Sequence, residues 1–120
     1  MKILFGFGDV LTLDAWLAHF EEKGHDVDGA MSGEDLIGVA KSFQPDVLVC
    51  EYHLKGEIDG LGVFYELCSD PNTTHTKLIL ISDIKLRGGK KLNTKFVQSG
   101  GILGVVRSSE VSFEAVEELI

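Results

Sequence analysis

Cysteine is scarce in this 120-residue chain, with only Cys50 and Cys68, both inside apolar patterns and without metal-ligand spacing. Such residues read as reduced core thiols, which excludes a disulfide scaffold and a structural zinc site. Basic residues are also few. Eleven Lys and Arg face nineteen Asp and Glu, for a net charge of −8, so nucleic-acid binding through bulk charge is not expected. Long hydrophobic runs are missing: Val47 to Cys50 and Leu78 to Ile81 fall far short of the roughly 20 apolar residues that span a bilayer. The opening stretch, Met1 to Phe5, has no apolar segment followed by a small-residue cleavage site. These absences lead to the expectation of a cytoplasmic chain without membrane contact. What is present is ordinary globular material, 44% hydrophobic and 25% charged, enough for one domain over residues 1–120 but not two. The lack of a linker or tail suggests a stand-alone domain or a domain boundary.

Strand and helix periods alternate along the chain. Residues 2–7 form an apolar run closed by Gly6 and Gly8, and Leu13, Trp16, Leu17 and Phe20 then recur at helical spacing up to a stop at Gly24. Residues 25–30 follow as a short extended segment. Ser32 to Asp35 has the spacing of a capping box, and Leu36, Val39, Ala40 and Phe43 form one helical face before Pro45. Asp46 to Glu51 is apolar until its last residue, the pattern of a strand buried on both faces of a parallel sheet. After a glycine-punctuated loop, a helix is expected to bury Leu61, Phe64, Leu67 and Cys68 and to close at Asp70-Pro71-Asn72. Lys77 to Ser82 repeats the buried-strand pattern. A helical face is expected from about Gly89 to Ser99, a fifth strand over Ile102 to Val106, and a last helix capped by Ser109 or Ser112. Five strands alternating with five helices imply a parallel sheet covered on both faces, with function gathered at the carboxyl ends of the strands. Gly8, Asp9, Glu51, Ser82 and Arg107 lie there.

The order of these elements, with Pro45 to Glu51, Leu78 to Ser82 and Gly100 to Arg107 in their places, resembles the receiver domain of response regulators, the CheY-like family. The resemblance covers almost the whole chain. It implies an α/β, flavodoxin-like, doubly wound five-stranded parallel sheet, (βα)5, with strand order 2-1-3-4-5, and a role in two-component phosphorelay signalling. A working receiver carries two acidic residues after its first strand, an aspartate ending the third, Ser or Thr ending the fourth and lysine ending the fifth. Here the acidic pair falls on Phe7 and Gly8, the phosphoacceptor on Glu51, the hydroxyl on Ser82 and the lysine on Arg107. Only the hydroxyl stands unchanged, so the pocket resembles that of a pseudo-receiver.

Mg²⁺ asks for octahedral oxygen ligands, and Phe7 and Gly8 offer no side-chain oxygen, so no metal site and no cofactor are expected. Asp9, the remnant of the acidic pocket, is read first as a helix cap. Glu51 is one methylene longer than aspartate and carries its charge toward the space of a phosphoryl oxygen. Two arrangements are open for it. Either the Arg107 guanidinium grips its carboxylate with Ser82 donating a third hydrogen bond, a fixed latch, or both charges point to water and contribute little. Glu51, His53, Glu57 and Asp59 are not expected to bind a transition metal, and Gly6-Phe7-Gly8 lacks the third glycine of a dinucleotide fingerprint.

Charge is most uneven in one window, where Lys85, Arg87, Lys90, Lys91 and Lys95 hold five of the eleven basic residues. The resemblance implies that this region faces partners, which makes it either a docking face for an acidic protein partner or, less expected, for a nucleic-acid backbone, or else a helix face charged only for solubility. The whole reads as a non-enzymatic, phosphorylation-independent module acting through protein contacts with a histidine kinase, a regulator or an output protein, with weak homodimerisation open. Two alternatives stand: a receiver phosphorylated unconventionally, or a flavodoxin-like domain that binds a small ligand.

Overall fold

The computed structural model of the chain describes residues 1–83 and 101–120. The helix expected from about Gly89 to Ser99 and the basic residues Lys85, Arg87, Lys90, Lys91 and Lys95 lie outside the described residues.

Among those described, the strands are β1 (Lys2–Gly6), β2 (Asp26–Ala30), β3 (Val47–Glu51), β4 (Lys77–Ile81) and β5 (Ile102–Val106). The helices are α1 (Val10–Glu22), α2 (Gly33–Phe43), α3 (Gly60–Ser69) and α4 (Phe113–Glu117). Each helix starts where a side-chain oxygen can take an orphan amide. Asp9 accepts from the Thr12 N–H, Ser32 from Asp35, Asp59 from Gly62 and Ser112 from Ala115. Of the two serines open as the last cap, the fold therefore uses Ser112. Helix α1 ends at Gly24, whose φ of 93° lies in the left-handed region that glycine enters without penalty. Gln44 takes the equivalent left-handed position after α2, and Pro45 prevents the helix from continuing.

The strands form one all-parallel sheet in the order β2-β1-β3-β4-β5. Strand parity splits the core into two layers. Ile3, Phe5, Val47, Val49, Ile79 and Ile81 face α1 and α4, while Leu4, Leu48, Cys50, Leu78 and Leu80 face α2 and α3. Because β1, β3 and β4 are buried on both faces, their sequences read as continuous apolar runs. The first layer is built around Trp16, which packs against Phe5, Phe7, Phe20 and Phe113 with ring centroids 4.8–6.0 Å away. His19 joins α1 to α4 by stacking on Phe113 at 4.0 Å, and its Nε2 stands 2.8 Å from Glu117 Oε1. Gly6 is dictated by packing, since a Cβ there would stand 2.5 Å from the Leu36 side chain and 2.8 Å from Cys50. Cys50 is fully buried and Cys68 half-buried, and burial pushes both thiols up, so each is held as the neutral, unreactive form. Among the described residues no helix is long and apolar enough to cross a membrane.

Candidate functional site

The carboxyl ends of β1, β3, β4 and β5 stand side by side, because those strands are consecutive neighbours in the sheet. Glu51 closes β3 in register with Ile81, and Ile81 pairs in turn with Val106. This places Phe7–Gly8, Glu51, Ser82 and Arg107 at one end of the fold.

Glu51 is half-buried, and its Oε1 accepts a hydrogen bond from the Gly8 backbone N–H at 3.0 Å. The grip of Arg107 on Glu51 is not found, and Glu51 is turned to a backbone amide rather than to water. Arg107 is exposed, and among the described residues no ion pair joins it to Glu51; the ion pair recorded there is that of His19 with Glu117. The physical reason is local. A carboxylate at the end of β3 finds the amide of the neighbouring β1 turn within reach, and a charge-assisted hydrogen bond to a fixed amide costs no ordering of a long arginine side chain. Ser82 is buried at the end of β4, with its N–H donating to the Val106 carbonyl at 2.9 Å.

Phe7 continues the parity of Ile3 and Phe5. Its ring is 2% exposed and stacks on Trp16 at 5.2 Å, so it belongs to the core beneath the site. Asp9 performs the capping role, its Oδ2 accepting from the Thr12 N–H at 2.9 Å and from the Thr12 hydroxyl at 2.8 Å. The backbone hydrogen bond and then the hydroxyl hold its carboxyl below the ordinary carboxylate value. A depressed folded-state pKa means that this stabilisation is present above the unfolded value, about 3.9, and is lost as pH falls through the folded value. Amide exchange at Thr12 and Leu13 is therefore expected to quicken below about pH 4. In Asp9→Asn, which accepts the same bonds without titrating, that acid dependence should vanish; its persistence would locate the titration elsewhere.

The loop after β3 is tied to the turn after β2, a connection the sequence reading missed. Ser32 and Lys55 form a parallel bridge, the Lys55 N–H donates to the Met31 carbonyl at 3.2 Å, and Glu34 Oε1 accepts from the Ile58 N–H at 3.1 Å. Gly56, at φ 85°, lies directly against the Glu34 carboxylate. Its glycine was the one available signal, since Glu34 itself reads only as an acidic residue in the first turn of α2. Burial and the neighbouring Asp59 carboxylate push the Tyr52 phenol up. Of the loop residues weighed for metal binding, His53 and Glu57 are exposed and Asp59 is engaged in capping α3.

The receiver resemblance implies Mg²⁺ at this end of the sheet, and the donor set does not fit it. Phe7 is turned into the core, Gly8 presents an N–H donor, and the Asp9 oxygen that caps α1 already takes two hydrogen bonds. Glu51 is left as a single carboxylate facing an amide proton, whereas a hard octahedral cation needs several oxygens.

A parallel sheet of this order, flanked on both faces and with its polar residues at the strand ends, defines a flavodoxin-like fold of the receiver type. Solved structures agree. The chain is similar to the chemotaxis response regulator CheY4 of Vibrio cholerae, with a TM-score of 0.76 and 11% identity over 99% of this chain and 98% of that one. It is similar to the N-terminal domain of a response regulator receiver protein from Methanoculleus marisnigri, with a TM-score of 0.72 and 17% identity over 99% and 95%. A third likeness is to the receiver domain of sensor histidine kinase PA1611 from Pseudomonas aeruginosa, solved with a magnesium ion coordinated in its active site cleft. There the TM-score is 0.71 and the identity 14%, over 98% of this chain and 93% of that one. No family model matches the sequence, and no curated protein does. At these identities what is shared is the fold.

Proposed function

We propose that this chain is a receiver-type module of two-component signalling that works without phosphoryl transfer, through contacts with a signalling protein such as a histidine kinase, a regulator or an output protein. The observation that carries the reading is the Glu51 to Gly8 hydrogen bond. Where a working receiver places its phosphoacceptor beside an acidic pair, this chain has a longer carboxylate bonded to a backbone amide. Phosphoryl transfer to a carboxylate relies on a divalent cation to neutralise the charge that builds on the phosphoryl oxygens. With one carboxylate and an opposing N–H, the pocket offers that cation too few oxygens. With its carboxylate bonded to the Gly8 amide, the module is read as holding one state without modification, and no catalytic turnover is assigned to it.

An amide NMR titration with Mg²⁺, followed by beryllium fluoride as a phosphoryl mimic, tests this directly. The signals of Gly8, Asp9, Glu51 and Ser82 are expected to stay still at millimolar Mg²⁺, the range in which receivers that use the ion would respond. Saturable shifts at those four residues would replace the reading with that of a receiver phosphorylated in an unconventional way.

A further inference from the structure

We propose that the groove between α1 and α2, beside the open edge of the sheet, docks a basic amphipathic segment of a protein partner. This surface is distinct from the strand-end pocket, and the inference does not rest on the function proposed for that pocket.

The groove is shallow and open to solvent, with a volume of about 600 Å³. Its walls are apolar: Val10 and Leu13 from α1, Met31 after β2, and Val39 from α2. Val10, in this lining, is 52% exposed. An apolar side chain left half-exposed in the wall of a groove is the kind of surface that a contact covers.

Gly38 lies inside this lining, in the middle of α2. A glycine in a helix interior costs roughly 1 kcal/mol against alanine. Nothing in the fold requires it, since a Cβ at Gly38 would meet no atom within 4 Å. The missing side chain keeps the wall of the groove low, which serves only something that enters from outside.

Charge selects the occupant. Exposed Asp35 lines the groove and exposed Asp26 and Asp28 stand on the adjoining edge strand β2, while the Glu34 carboxylate beside them is committed to the Ile58 N–H. Such a rim attracts Lys and Arg and repels acidic surfaces. Strand addition to β2 is opposed as well, because the Gly29 N–H is already taken by the Asp28 carboxylate at 2.8 Å. The ligand that satisfies all of this presents bulky apolar residues to the groove and basic residues to the rim.

The test uses two synthetic helical peptides, one built of Leu and Lys and the other of Leu and Glu, titrated into ¹⁵N-labelled protein. The Leu/Lys peptide should produce saturable shifts centred on Val10, Leu13, Met31 and Val39 that weaken as salt is raised, and the Leu/Glu peptide none. Gly38→Lys is the decisive variant, because its side chain enters open space and improves the helix. It should melt at or above the temperature of the parent while losing roughly tenfold or more in affinity for the Leu/Lys peptide, through bulk and like charge in the contact. Shifts centred elsewhere, equal binding of both peptides, or undiminished binding by a folded Gly38→Lys would each overturn the proposal. Concentration-dependent dimerisation abolished by Gly38→Lys would overturn it in favour of a second copy as the occupant.

Discussion

Phe7→Asp is expected to destabilise the fold by about 3–5 kcal/mol, even though it restores the residue type that a receiver carries at that position. The ring is 2% exposed and stacks on Trp16, so its removal opens a cavity in the layer that also holds Phe5, Phe20 and Phe113. The aspartate would in addition bring an unpaired carboxylate among aromatic rings, which is costly without a partner. For a chain of this size the loss corresponds to roughly 10–20 °C in melting temperature, readable by thermal circular dichroism. Phe7→Leu, which keeps apolar volume, should lose much less. A Phe7→Asp protein as stable as the parent would mean that the residue 7 side chain can turn outward into the strand-end pocket. Rebuilding a receiver site here therefore requires repacking Trp16 as well as exchanging pocket residues.

At Glu51 the expected effect is smaller and more specific. Glu51→Ala removes the acceptor for a partly buried Gly8 N–H and should cost about 1–3 kcal/mol. Glu51→Gln retains an oxygen at the same place and should recover most of that loss, at the price of the charge. Arg107→Ala is expected to stay within about 0.5 kcal/mol of the parent, because the side chain is exposed and apart from Glu51. Chemical denaturation of the three variants separates a carboxylate held by an amide from one held by a guanidinium. Equal losses in Glu51→Ala and Arg107→Ala would restore the latch.

Much of the architecture was legible in the residues because each element carries its own local signal. The buried strands announce themselves as Val47-Leu48-Val49-Cys50 and Leu78-Ile79-Leu80-Ile81, and one helix start as Ser32, while the last start was open between Ser109 and Ser112 and the Asp59 cap was not read. Asp9 could be read as a cap because capping depends on residues only three positions apart. The site was less legible. That Glu51 meets Gly8 rather than Arg107 depends on backbone amides, which every residue but proline carries and which leave no mark in a sequence. The same holds for the Met31 carbonyl and Ile58 amide that fasten the β3–α3 loop.

Composition, periodicity and caps by themselves pointed to an α/β fold with a doubly covered parallel sheet. The resemblance to receivers added that Phe7 and Gly8 stand where a working receiver carries its acidic pair. Only the tertiary structure decided which way the remaining polar groups turn. It put Phe7 under Trp16 and gave the Glu51 carboxylate to an amide, and it left a groove beside Gly38 with an acidic rim. The physical reason is that hydrophobic period and capping are short-range properties of the chain. Hydrogen-bond partners and open grooves arise from segments tens of residues apart, which meet only when the sheet is assembled.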